Sequence, residues 1–438
     1  MKKVALYSGL LLAGLVLSQV LPGMWSGQAE AYGTIVRVLV MLGLSYIMVH
    51  VGYEFDIDKS NVRKYGWDYL VAATAATFPW ILCCLYFVFV LMPSSGWSLA
   101  GVWKESLLAS RFTAPTSAGV LFSMLAAAGL ASTWVFKKAR ILAIFDDLDT
   151  VLLMIPLKMA MVGLKWQLGV IVLLMAAQLW LAWHYLHRVR IPVSWGWVLL
   201  YSGVIAGGAE IIYHLSKGID PKVPVHIEVL LPAFVLGCMI ARQRASGAYV
   251  KAGDTANDQG TQTSAEHHDD ILETPAEKKA GTTMSAFFMV MVGLSMPMFI
   301  NQVGGAASGG AAAAAAAVDV SKLEIGQYLK ALTPPMGWGE IALHVLAITV
   351  LSNLGKMFPA FCYRREASWR QRLAVAIGMW PRGEVGAGVL AVSIGYGIGG
   401  PILVVAMLSL ALNLMLTGVF ILIIKRLLAN DPTLAEAR

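Results

Sequence analysis

The stretch ARILAIFDDLDTVLLMIPLKMAMV, residues 139–162, sets three carboxylates, Asp146, Asp147 and Asp149, in a run otherwise apolar enough to cross a bilayer. Each ionised Asp near the middle of a membrane helix costs about 2.5–3.5 kcal/mol on insertion scales. Three together persist only where they face water, a cation or a partner charge. A helix end snorkelling to the interface does not account for them. Asp147 lies nine residues beyond Lys138, about 13 Å into the membrane at 1.5 Å per residue. At about 100° per residue, Asp146 and Asp149 share one face of the helix and Asp147 points to a neighbouring one. The reading is a polytopic membrane protein with an ion site inside this helix.

The rest of the chain agrees. Hydrophobic residues make up 58% of it and charged residues 13%, whereas a soluble domain carries about 45–50% and 25%. A water-soluble globule of this composition would lack a polar surface. Twelve apolar stretches are long enough to span about 30 Å of hydrocarbon. They are 4–22, 33–54, 67–92, 104–130, 134–162, 167–187, 194–215, 225–243, 282–302, 337–362, 370–397 and 400–424. Alternate loops sort by charge. One set holds clusters such as Lys2 and Lys3, Lys137 with Lys138 and Arg140, and Arg364 with Arg365 and Arg370; the other holds a few single lysines, such as Lys104 and Lys217. The positive-inside rule then places both termini in the cytoplasm. The basic residues are spread among the loops, so the formal charge of +7 records topology and argues against nucleic acid as a partner. Met1-Lys-Lys before the first apolar run also resembles a signal peptide, but the run is long for one and is expected to stay as a helix. Cys83, Cys84, Cys238 and Cys362 lie in or beside apolar stretches, without the spacing of a zinc site or a redox pair.

Two loops stand apart. Residues 244–281 are polar and read as a flexible cytoplasmic linker, in which the run His267 to Asp270 is a solvated segment rather than a metal site. Residues 304–320 are rich in Gly and Ala and fall on the outer side.

A cation matches the aspartates. Lys356, in HVLAITVLSNLGKMFPAFCYRR (344–365), precedes Arg364 by eight residues, about 12 Å of helix. It therefore reaches a depth similar to theirs and suits a salt bridge or proton exchange. Two further spans are interrupted. The fourth contains Thr113, Ala114 and Pro115 ahead of Thr116 and Ser117; the eleventh contains Pro381 and Gly383, with Arg382 and Glu384 beside them. Proline removes a backbone donor and clashes with the preceding turn, while glycine loosens the chain. Each break falls in the middle member of a helix triplet, spans 3–5 and 10–12, and opposite parity inverts one triplet relative to the other. Broken helices in corresponding positions of two halves point to a midplane binding site. Arg382 and Glu384 either compensate the partial charges of the half-helix ends or pair with each other.

These features resemble the monovalent cation:proton antiporters, in particular bacterial sodium/proton antiporters. LAIFDDLDTVLL looks like the family's double-aspartate motif, usually followed by Leu-Gly. Thr113-Ala114-Pro115 falls where members carry Thr-Asp-Pro, Leu-Gly-Lys ending in Lys356 is similar to their tenth-helix lysine, and Met379 to Gly386 looks like the proline-arginine-glycine-glutamate motif of one branch. The resemblance implies an all-α fold of about twelve transmembrane helices with inverted repeats and two crossed discontinuous helices. It implies residues 1–66 in a dimerisation panel, 67–165 as core repeat one, 166–243 as linker and panel helices, and 244–281 as a flexible loop. Residues 282–336 supply a panel helix and external loop, 337–426 core repeat two, and 427–438 a tail. It further implies a homodimer in the bacterial inner membrane that exchanges sodium, with lithium as a possible alternative, for protons by an elevator-like movement. Asp147 would bind the cation, with Asp146 paired to Lys356. No cofactor is implied, and with no ATP-binding loop evident the chain reads as a transporter driven by an ion gradient, not an enzyme.

Two positions depart from the pattern. Ala114 stands where many members have Asp, and Asp149 where Gly is usual; the expectation is that Asp149 replaces the lost charge. Potassium/proton exchange is the nearest rival, and the double aspartate with Lys356 favours sodium. A sodium-coupled organic-anion carrier would favour helix N-termini and basic groups over three acids in one helix. A channel would conduct without proton coupling.

Overall fold

A computed structural model describes residues 2–24, 29–54, 62–163, 165–219, 225, 229–241, 275–298 and 323–429. The His267 to Asp270 run and the Gly/Ala-rich loop lie outside these residues. Ten helices lead from the N-terminus: α1 (Lys2–Met24), α2 (Ala29–Glu54), α3 (Val62–Tyr86), α4 (Ala100–Ser110), α5 (Ala118–Ala127), α6 (Trp134–Val162), α7 (Trp166–His184), α8 (Trp195–Ile219), α9 (Leu230–Met239) and α10 (Pro275–Leu294). Six follow: α11 (Tyr328–Leu332), α12 (Trp338–Gly355), α13 (Phe358–Phe361), α14 (Trp369–Gly378), α15 (Glu384–Gly395) and α16 (Pro401–Ala429). Among the described residues there is no strand, only an isolated bridge between Val189 and Ile240. The protein is an all-α polytopic membrane protein.

Local chemistry sets several ends. The Thr133 hydroxyl accepts the Phe136 N–H at 3.2 Å to start α6, and Gly163, at φ +84°, stops it in a conformation that favours glycine. Ser368 caps α14 by accepting the Gln371 N–H at 3.2 Å, while the Gln371 side chain accepts the Ser368 N–H.

Seven helices or helix runs among the described residues are long and apolar enough to span a membrane: α1, α2, α3 continued to Leu91, α7, α8, α12 with α13, and α16. The other five expected spans differ for identifiable reasons. α6 carries the aspartates, the fourth and eleventh spans are each split into two helices, and α9 is short. α10 begins at Pro275, inside the segment 244–281 expected to be a flexible linker. A proline is well placed in a first helical turn because its missing N–H would have no intrahelical partner there. Glu277, Lys278 and Lys279 then form a polar end to the helix.

The helices pack in two groups. One is α3 with α6, α12 with α16 and α3 with α12, with α14 against both α6 and α16; the split helices cross inside this group. The other joins α1 to α10 and α2 to α8, α9 and α10, and α1 also packs on α16. Glycine pairs bring two of these helix pairs into backbone contact. A Cβ on Gly14 would sit 2.3 Å from the Val290 carbonyl oxygen, and one on Gly293 2.3 Å from that of Leu11. Gly52 and Gly237 relate α2 to α9 in the same way. In lipid, where apolar burial between helices gives little drive, such close approach supplies packing energy.

Candidate functional site

The two breaks meet where the split helices cross. The fourth span's α-helix ends at Ser110, tightens into a 3-10 turn over Arg111–Thr113 and resumes at Ala118; the eleventh ends at Gly378 and resumes at Glu384. The Ser117 N–H donates to the Pro381 carbonyl at 2.9 Å, tying one break to the other through the backbone. Gly383 permits this approach, since a Cβ there would lie 2.8 Å from Ser117 Oγ and 2.9 Å from its Cβ. Thr113 stays local, its hydroxyl donating to the Ser110 carbonyl at 2.8 Å. Ala114, buried in the same turn, offers no polar group.

The start of α15 finds a compensating charge, and backbone oxygens of the first break find another. Glu384 occupies the first turn of α15, where the helix end is electropositive, and accepts the Ser117 hydroxyl at 2.5 Å. Arg382 donates to the carbonyls of Pro115 at 3.2 Å and Ser352 at 3.3 Å, so its charge serves backbone oxygens of the first break and of α12. Both residues reach across to the fourth span, Arg382 to Pro115 and Glu384 to Ser117. The Thr116 hydroxyl donates to the Met379 carbonyl at 3.0 Å.

Asp146 enters this crossing from α6. Its Oδ2 accepts the Thr116 N–H at 2.8 Å and lies 2.7 Å from Lys356 Nζ. Lys356 also donates to the Thr116 hydroxyl at 2.7 Å. Neither charged side chain of the pair is exposed. Lys356 follows the last residue of α12, so the end of that helix carries the ammonium to the depth of the aspartates.

Asp147, one residue on, turns away from the crossing. It lines a cleft between α6, α7, α9 and α15, with Ile144, Leu148, Val151, Ile171, Leu230 and Val385 among the walls. Among the described residues the only other polar side chain in that lining is Gln178 of α7. Asp149 takes a third direction, toward Arg111 at the end of α4. The guanidinium donates to the Asp149 carbonyl at 3.2 Å and lies 3.8 Å from its Oδ2. Arg111 also stacks over the Trp80 ring, 4.4 Å from its centroid, and the Trp80 indole is fixed by donating to the Leu107 carbonyl at 2.7 Å.

The three aspartates thus have three different surroundings, and Asp146 and Asp149, expected on one face, each meet their own cation. Four buried carboxylates, Asp146, Asp147, Asp149 and Glu384, face three buried cations, Lys356, Arg111 and Arg382. The cluster carries one negative charge in excess when all seven are ionised. Sequence reading passed over Arg111, although the signal was the one that found the aspartates: an ionisable residue inside an apolar span. It also passed over Thr116, Ser352 and Gln178, whose neutral polar side chains or backbone carbonyls give no such signal.

The sequence profile of a family described as "Sodium/hydrogen exchanger, transmembrane" matches residues 2–398. No individually curated protein matches the chain.

Proposed function

The chain belongs to the sodium/hydrogen exchanger family, and from that premise we propose that it exchanges sodium for protons at Asp147. The family makes it a multi-pass membrane protein that carries out cation:proton antiport. The finer reading rests on one observation: Asp147 faces an apolar cleft while its neighbour Asp146 is held by Lys356 and Thr116. A carboxylate at the edge of a cleft can take up a monovalent cation or a proton, but the two compete for the same oxygens. One excess negative charge in the buried cluster fits the same scheme, since a single bound cation or proton balances it. Asp146 and Lys356 form the coupled neighbour of this site, and groups coupled so closely titrate as a set.

Access alternates by an elevator-like movement. The group containing the crossed helices would move against the group built on α1, α2, α8, α9 and α10, and the cleft holding Asp147 lies where α6 and α15 face α7 and α9. Two copies would associate through the second group, in a bacterial inner membrane with both termini cytoplasmic, as the distribution of basic loops supports.

Reconstitution into liposomes tests this. Na⁺, Li⁺ and K⁺ are added in turn across a range of pH, with and without a membrane potential, while internal pH is read with a dye. Proton movement driven by Na⁺ and Li⁺, abolished in Asp147→Asn, is the expected result. Movement driven by K⁺ alone would replace sodium with potassium, and full activity in Asp147→Asn would move the site elsewhere.

A further inference from the structure

Arg111 is a fully buried guanidinium that the scheme above does not use. Its Nε and Nη1 atoms have no hydrogen-bond partner among the described residues, and it meets Asp149 through Nη2 alone. As a device for stability this arrangement is poor. Burying an ion pair carries a desolvation penalty for each ion, recovered only with excellent geometry and satisfied donors, and an apolar pair of similar volume often does as well. A 3.8 Å contact with two idle donors does not meet that standard. What it does provide is charge, placed on α6 three residues from Asp146 and two from Asp147, and at the edge of the break that holds Ala114.

We propose that Arg111 and Asp149 form a charge-setting pair, two positioning residues that fix the potential felt by Asp147 and thereby the pH and cation concentration at which exchange operates. The inference rests on the reading of Asp147 as the exchange site. The first break offers no carboxylate because Ala114 is apolar, and Arg111 brings a cation to the same turn. Alone, that cation would cancel the excess negative charge of the cluster. Asp149 restores it. The expectation that Asp149 stands in for a missing acid at Ala114 is thereby sharpened: its partner is Arg111, and the two are a unit. The titratable groups facing the pair are Asp146 on α6, Tyr69 on α3 and Lys356 after α12.

The charges make opposite predictions for the two single variants. Asp149→Asn removes a negative charge, so both proton and cation are held less tightly. The pH of half-maximal exchange moves down by about one unit, as expected for a unit charge at this range in a protein interior, and the cation KM measured at high pH rises. Arg111→Gln does the reverse, raising the pH midpoint and lowering that KM. The double variant Arg111→Gln/Asp149→Asn returns both values toward the wild type.

The measurement is Na⁺-driven proton movement in liposomes across pH for wild type, the two singles and the double, with protein incorporation quantified. Opposite shifts that cancel in the double support the pair. Shifts of the same sign, no shift at all, or a double no closer to wild type than the singles overturn it, because a merely structural role lowers maximal rate or yield without reversing the midpoint. If the single variants do not accumulate, the double decides: accumulation with a wild-type midpoint supports the pair, and failure to recover either overturns it. Wild-type liposomes that exchange no cation for protons would instead remove the reading of Asp147, leaving the two failures distinct.

Discussion

Lys356 Nζ sits 2.7 Å from Asp146 Oδ2 with both side chains fully buried, and Thr116 bridges them through its backbone N–H and its hydroxyl. Three chain segments that are far apart in sequence, α6, the first break and the end of α12, are joined at this one point. The bridge is therefore structural as well as electrostatic.

Lys356→Met leaves the Asp146 carboxylate buried without its ammonium, a loss of about 3–5 kcal/mol for a fully buried pair broken from one side. Lys356→Met/Asp146→Leu removes both charges and recovers most of that stability. Thermal unfolding of the detergent-solubilised protein checks the pattern. A double variant as unstable as the single would show that the pair is not the source of the effect.

A second buried knot lies at the Lys138 end of α6. Lys138 Nζ is 3.0 Å from Asp68 Oδ1 and 3.3 Å from Glu366, and the Tyr363 phenol donates to Asp68 Oδ1 at 2.7 Å. Burial, and then the Asp68 charge, hold the Tyr363 phenol well above its usual range. The folded protein accordingly keeps a proton that the unfolded chain releases near pH 10, so stability falls as pH rises past that value. Tyr363→Phe loses a hydrogen bond to a charged acceptor, about 1.5–3 kcal/mol, at neutral pH. Its unfolding temperature then declines less steeply than the wild type's between about pH 10 and 11. Parallel declines would show that Tyr363 contributes nothing to the alkaline loss.

Glu105 anchors the segment before α12. Its buried carboxylate accepts N–H groups from Gly326 at 2.6 Å, Tyr328 at 3.0 Å and Leu329 at 2.8 Å, a cradle at the start of α11. Glu105→Gln supplies one acceptor oxygen where two are used, and turns an amide donor toward backbone donors. Hydrogen exchange at Gly326–Leu329 should quicken by tenfold or more, corresponding to at least about 1.4 kcal/mol of local opening. Unchanged protection there would count against the anchor.

Much of this was legible in sequence, and the limits have physical causes. Charges in apolar runs found Asp146, Asp147 and Lys356, because lipid makes their cost visible without any structure. Proline and glycine marked both breaks for a similar reason. The helix at Pro275 was missed because Glu277, Lys278 and Lys279 gave its first turn the composition of the linker before it. The division of labour among the aspartates was hidden as well. A helical wheel puts Asp146 and Asp149 on one face, but only the places of α4 and α12 in the bundle show that Lys356 and Arg111 approach that face from different sides. Sequence periodicity describes one helix, and partners are set by the packing of several.

The last prediction concerns the crossing itself. Gly383 precedes α15, and the backbone there is extended, so no conformational need for glycine exists; the requirement is space. A methyl group at this position would lie 2.8 Å from Ser117 Oγ, 2.9 Å from Ser117 Cβ and 3.3 Å from Val292 Cγ1. Those first two distances are shorter than side chains tolerate, and Ser117 is doubly tied, to Pro381 through its N–H and to Glu384 through its hydroxyl. Gly383→Ala must therefore push the breaks apart or turn Ser117 away from Glu384. Overpacking of this kind costs about 1–3 kcal/mol, which a membrane bundle can bear, so the variant should still accumulate and unfold cooperatively. The carboxylate of Glu384 would lose its 2.5 Å donor, and the Thr116 segment beside Ser117 would shift relative to Asp146 and Lys356. Exchange should drop by tenfold or more at a yield close to wild type. Adding Ser117→Gly makes room for the methyl but removes the Ser117 hydroxyl from Glu384. Recovery in Gly383→Ala/Ser117→Gly would therefore locate the defect in the spacing of the breaks, and no recovery would locate it in the Ser117–Glu384 bond.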